Sequence, residues 1–253
     1  MTDSVNLRPV SNDADSEDTG RRELIELMEE PNPLVPRVLD DGNIIHAKTS
    51  SETAFNAFRE LRTDLMQQAN GQNFVCIITS AVPGGGATHV AINLASAIAL
   101  DRTKTALIVD CNVYRPALHD RLRIEQQPGL TDFLADPDGV SISDIIKPAG
   151  IPRVRAIPSG SRPARESEYF GSVNMRLLLH MLGQRYPDRY IIVDAPSMNA
   201  AADTRMLAAY ADLVCLVVPY GRVTSSRIVD SSRAFDANKF AGVVINREPS
   251  VWG

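Results

Sequence analysis

Five short apolar runs constrain this chain more than any other feature. Residues 74–79 (FVCIIT), 105–109 (TALIV), 190–193 (YIIV), 213–218 (LVCLVV) and 242–245 (GVVI) lack the alternation of a half-solvated strand. A strand that is apolar at nearly every position is buried on both faces, which happens where helices cover both sides of a mostly parallel sheet. Helical periodicity fills the intervals. Phe55, Phe58, Leu61 and Leu65 recur at spacings of three and four over residues 53–69, and residues 89–100 are rich in Ala, Ile and Leu. Shorter helical patterns cover 131–135, 143–146, 175–182, 201–209 and 225–235, with a weaker strand at 154–157. The expected class is α/β, with a mostly parallel sheet and helices on both faces.

Composition narrows the function. The chain has 253 residues with 26 Lys plus Arg against 31 Asp plus Glu, a net charge of −5, so phosphate-driven nucleic-acid binding is disfavoured. No apolar run approaches the roughly 20 residues that span a bilayer, and residues 1–20 lack the basic and apolar regions of a signal peptide. The expected location is cytoplasmic. Residues 1–50 carry 11 acids and 5 bases and are read as a disordered acidic tail, with residues 51–253 forming the folded domain. Within the tail, Leu24, Ile25, Leu27 and Met28 form a short amphipathic segment, and Pro31, Pro33 and Pro36 are expected to stop any helix. Cys76, Cys111 and Cys215 have no metal-ligand spacing and are expected to be small buried hydrophobes.

In a parallel sheet, ligands sit beyond the carboxyl ends of the strands, at a switch in strand order. Three such ends carry chemistry here. Residues 81–88, Ala-Val-Pro-Gly-Gly-Gly-Ala-Thr, follow a strand and open a helix, the setting of a phosphate-binding loop: Gly84, Gly85 and Gly86 let backbone N–H groups converge on an anion, and the helix dipole adds to them. The loop pattern wants lysine before Thr88, and Ala87 stands there. Asp110 ends the second strand, with Asn112, Arg115 and His119 after it, and Asp194 ends another. Either acid could merely cap a turn. With the Thr88 hydroxyl, however, they make three oxygen donors suited to hydrated Mg²⁺.

The ordered motifs make the resemblance specific. The chain resembles the bacterial tyrosine kinases of capsule and exopolysaccharide biosynthesis, P-loop proteins related to the Min/Par positioning ATPases, over about residues 53–247. TAFNAFRELRTDL resembles the family's E-x-x-R-x-x-R oligomerisation helix, with Arg59 and Arg62 kept and Asn56 in the Glu position. TSAVPGGGATHVAINLA resembles its Walker A segment, and VDCNVYRPALH its D-x-D-x-x-R-P Walker A′ segment, with Asn112 as the second Asp. PGLTDFLA, ESEYF, IIVDAP and GVVINR follow in the family's order. The resemblance implies a P-loop NTPase-like, Rossmann-like three-layer sandwich that binds ATP or ADP with Mg²⁺. It implies catalytic roles for Asp110 and Asp194, metal ligation by Thr88, Asp110 and Asp194, and nucleotide contacts from residues 84–88, His89, Arg115 and Asn246.

The departures set the functional expectation. In the family the Walker A lysine contacts the β- and γ-phosphates, and a charged hydrogen bond of about 1.5–3 kcal/mol corresponds to a roughly 10- to 100-fold loss of affinity. The loop's backbone N–H groups do not depend on that side chain. The expectation is therefore a pseudokinase with weakened nucleotide binding, serving exopolysaccharide or capsule biosynthesis. It would sit at the inner face of the membrane beside a separate polysaccharide copolymerase or export protein, with homo-oligomerisation through Arg59 and Arg62. The resemblance also leads one to expect a C-terminal tyrosine cluster, and the chain ends REPSVWG without one. Two alternatives stay open: an active kinase or ATPase using a substitute cation (Arg115, Arg59 or Arg62), and a Min/Par-type ATPase. His89 lies about 100° round the helix from Thr88 and is expected not to substitute.

Overall fold

The computed structural model describes residues 30–49, 51–161, 169–185 and 188–249. The segment at 21–29, Tyr186, the first residues of ESEYF and the last four residues lie outside this set, as do most of the residues read as an acidic tail. Seven strands form one sheet: β1 (Val75–Ser80), β2 (Thr105–Asp110), β3 (Lys147–Pro148), β4 (Val154–Ile157), β5 (Arg189–Asp194), β6 (Leu213–Pro219) and β7 (Phe240–Asn246). Their spatial order is β3-β4-β2-β5-β1-β6-β7, parallel except for the two-residue β3. The helices in chain order are α1 (Pro36–Asp41), α2 (Glu52–Gln68), α3 (Ala87–Ala99), α4 (Leu118–Leu122), α5 (Leu130–Ala135), α6 (Ile142–Ile145), α7 (Val173–Arg185), α8 (Ala201–Ala209) and α9 (Ser225–Ser232).

Successive residues of each central strand serve opposite cores. Cys76, Ile78, Ala106, Ile108, Tyr190 and Ile192 pack on the side covered by α2 and α3. Ile77, Leu107, Val109, Ile191 and Val193 pack on the side of α5, α7 and α8. This two-sided burial is why the strands read as continuous apolar runs. The covering stops at β7, an edge strand whose Val243 and Ile245 are exposed. Cys76, Cys111 and Cys215 are buried and free, in keeping with their apolar surroundings.

α3 is buried nearly all round because a second layer lies outside it. On that outer side are Phe58, Leu61 and Leu65 of α2, and also Leu39 and Ile44. Residues 30–49, placed in the tail by composition, therefore pack on the domain. Pro36 starts α1 at its first turn, where a missing N–H costs nothing. Asn93 of α3 ties the arm down: its Oδ1 accepts from Ile45 N–H at 2.7 Å and its Nδ2 donates to the Asn43 carbonyl at 3.1 Å. Leu34 N–H donates to the Gly150 carbonyl at 2.8 Å, and Glu30 pairs with Arg155 at 2.9 Å. The sequence reading groups these residues with the acidic stretch before them, although residues 30–49 themselves carry only three acids against two bases. No helix among the described residues is long and apolar enough to cross a membrane.

Candidate nucleotide site

The loop between β1 and α3 is shaped by glycine. Gly86 caps α3 at φ 102°, a left-handed conformation that L side chains rarely adopt, and a Cβ there would meet Asn246 Nδ2 at 2.0 Å. A Cβ on Gly85 would meet Ser80 Oγ at 1.8 Å. Asn246, at the end of β7, donates from Nδ2 to the Gly85 carbonyl at 3.0 Å. It thus clamps the loop from outside.

The strand order brings the acids together. Because β5 lies between β2 and β1, Asp110 and Asp194 are register partners at the carboxyl ends of adjacent strands, and both are fully buried. Asp110 accepts from Asn112 N–H at 3.0 Å and from Leu118 N–H at 3.3 Å, so it does cap the turn that follows β2. Burial raises its pKa to about 6 against the pull of those bonds and of His119. Asp194 is pushed well above the usual carboxylate range, first by burial and then by Asp110. The nearby Thr88 hydroxyl and Arg121 pull the other way. Among the described residues both Asp194 oxygens are buried without a hydrogen-bond partner at bonding distance. The turn after Asp194 is pinned where Thr79 and Thr204 hydroxyls donate to the Pro196 carbonyl at 2.6 and 3.0 Å.

These ends open on one cavity of about 810 Å³. Gly84, Gly85, Gly86, Ala87, Thr88, His89 and Arg115 line it, so the sequence-predicted loop and one of the candidate cations meet there. Asn246 supports the loop from behind. His89 is half turned away: it meets Phe58 edge-on at 6.1 Å and Asn93 Nδ2 at 3.3 Å. Burial, with Arg121 and Arg247 nearby, lowers its pKa to about 4, so it brings no positive charge at neutral pH. Arg62 does not reach the site within this chain, since it donates to the Ala97 carbonyl at 3.0 Å, while Arg59 lies over the Phe55 ring at 5.7 Å on the exposed side of α2.

Among the lining residues that escaped the sequence reading are Asp203, Tyr114, whose hydroxyl donates to it, and the cations Arg121 and Arg247. Arg121 lies two residues beyond His119, on the short helix α4, and Arg247 directly follows Asn246. Proximity to both motifs was the available signal.

The orphaned oxygens of Asp194 are a fit for a hydrated divalent cation, which would also draw on Asp110 and the Thr88 hydroxyl. The described residues contain no cluster of three or more His, Cys, Asp or Glu, so the remaining ligands would be water and phosphate oxygens.

No protein-family model matches the chain. It is 31% identical over 201 residues to the tyrosine-protein kinase wzc of Salmonella typhimurium, which covers 78% of this chain and 27% of that protein. It is 33% identical over 208 residues to the putative tyrosine-protein kinase EpsB of Ralstonia solanacearum, covering 80% and 27%. The chain thus spans about a quarter of the length of these relatives. Among solved structures, the kinase domain of Escherichia coli tyrosine kinase ETK superposes with a TM-score of 0.73 at 24% identity, covering 89% of this chain and 86% of that one. A ParA family ATPase from Chlorobium tepidum has the same fold at a TM-score of 0.53 and 18% identity, covering 70% and 75%.

Proposed function

The chain belongs to the bacterial tyrosine-kinase family of P-loop proteins, and from that premise we propose that it is a pseudokinase, a nucleotide-binding regulator of exopolysaccharide or capsule biosynthesis. The observation that carries this reading is Ala87, a methyl side chain on the cavity wall where the family's phosphate-binding lysine belongs. Asn112 in the second Walker A′ position supports it, because one carboxylate fewer is available to the cation.

The residues retained suffice for binding. The loop's N–H groups and the start of α3 take the phosphates, Asn246 holds the loop in shape, and Thr88, Asp110 and Asp194 would hold Mg²⁺. When bound, Mg²⁺ neutralises charge on the phosphates. Asp110 would accept a proton from an acceptor hydroxyl, but without a lysine on the transferring group that step would be slow. The protein then acts by changing shape or partners with nucleotide, at the inner face of the membrane, beside a separate polysaccharide copolymerase or export protein. Self-association would use Arg59, since Arg62 is engaged within its own chain.

The second reading, an active kinase or ATPase with a substitute cation, is favoured by the intact Asp110–Asp194 pair and the arginines lining the cavity. One experiment separates the two. Purified protein is incubated with Mg-ATP and the family's acceptor tyrosine peptides, and phosphotyrosine and phosphate release are followed. The pseudokinase reading expects nucleotide binding without turnover. Turnover that is abolished by Asp110→Ala would overturn it in favour of the active enzyme.

A further inference from the structure

The cavity lacks a lysine but not positive charge. Arg115, Arg121 and Arg247 all line it, and among the described residues none of the three guanidinium groups makes a hydrogen bond or ion pair. Unpaired cations gathered around a phosphate-binding loop are held against their mutual repulsion, an arrangement that an anionic ligand would relieve.

The three are not equivalent. Arg121 sits on α4, whose base is fixed by the fully buried Leu118 and Leu122 and by the Leu118 N–H bond to Asp110. Arg115 lies in the turn between β2 and α4, where its N–H donates to the Asn112 carbonyl at 3.0 Å, and Arg247 follows β7 at a left-handed φ of 61°. Arg121 thus lines the cavity with the loop residues Gly84 to Thr88 from a helix anchored on Asp110.

We infer that Arg121 supplies the cation that contacts the β- and γ-phosphates of a nucleoside di- or triphosphate in this cavity, in place of the lysine replaced by Ala87. The inference rests on the nucleotide-binding reading above. A guanidinium suits the role: it stays charged at all working pH values and can engage two phosphate oxygens in parallel. It reaches the phosphates from the Walker A′ side instead of from within the loop, so the loop itself needs no cationic side chain.

The test is calorimetric titration of the full chain with Mg-ADP and Mg-ATPγS, comparing the natural protein with Arg121→Ala, Arg121→Gln, Ala87→Lys and Arg121→Ala combined with Ala87→Lys. The expected result is binding by the natural protein and a loss of about 10- to 100-fold in both Arg121 single variants. Most of that loss is recovered when Ala87→Lys is added to Arg121→Ala, which a merely structural role for Arg121 would not produce. Natural-level affinity in both Arg121 variants would overturn the inference while leaving nucleotide binding intact. A loss that Ala87→Lys does not recover would also overturn it. Absence of binding by the natural protein up to millimolar nucleotide would overturn the nucleotide reading itself, and the inference with it.

Discussion

Asp110 and Asp194 are register partners across the β2–β5 ladder, two fully buried carboxylates whose chain neighbours Asn112 and Ala195 line one cavity. Asp110 has two backbone N–H donors, whereas among the described residues Asp194 has no partner at bonding distance for either oxygen. That asymmetry places the strain of the site on Asp194.

A first consequence concerns stability. Burial lifts the folded-state pKa of Asp110 from 3.8 to about 6, and that of Asp194 also rises well above 3.8. The folded protein therefore binds more protons than the unfolded chain above about pH 4, and this contribution to stability is lost as pH rises through the folded pKa values, about 6 for Asp110. Asp194→Asn is expected to raise the melting temperature at pH 7.5 by roughly 2–6 °C and to flatten the decline between pH 5 and 8. Thermal melts across that range check it, and a lower melting temperature at pH 7.5 would contradict it.

The same protons report on ligand binding. A divalent cation favours ionised carboxylates, so Mg-nucleotide binding is expected to release protons near pH 6.5 and to weaken as pH falls from 7.5 to 5.5. Calorimetry at pH 6.5 in two buffers of different ionisation enthalpy measures the release directly. Identical apparent enthalpies in the two buffers would count against cation binding at the acid pair.

The clamp between Asn246 and the loop gives a third prediction. At Gly86 an alanine meets both an unfavourable φ of 102° and the Asn246 amide, so Gly86→Ala is expected to destabilise by more than about 1–2 kcal/mol and to weaken nucleotide binding. Asn246→Ala alone removes one hydrogen bond, about 1 kcal/mol. Because it also removes the clash, the double variant should be less destabilised than the two singles added together. Strict additivity in urea melts would exclude the contact.

The arm predicts a different phenotype. Asn93→Ala leaves Ile45 N–H and the Asn43 carbonyl without their side-chain partner, at a cost of roughly 1–3 kcal/mol. Limited proteolysis should then cut within residues 30–49 faster than in the natural protein while the sheet stays protected. Unchanged cleavage there would mean that the arm is held by other contacts.

Much of this was legible in the chain itself. The runs at 74–79, 105–109 and 190–193 predict β1, β2 and β5 to within a residue or two, because burial on both faces leaves a local signature. The glycines of the loop, Ala87 in the lysine position and the two acids at strand ends are equally local. Composition misplaced residues 30–49, since a few apolar side chains carry too weak a periodic signal to separate them from the acidic stretch that precedes them.

By itself, then, the sequence determined the order and type of the elements and the chemistry at each strand end, for these depend on neighbouring residues and on the periodicity of burial. Only the tertiary structure decided that β5 lies between β2 and β1, so that Asp194 faces Asp110. It likewise decided that Arg62 turns to the Ala97 carbonyl, that Asn93 anchors the arm, and that Arg121 stands in the same cavity as Ala87. Those relationships join residues far apart along the chain. They arise from packing helices and strands around two cores, and no local pattern records them.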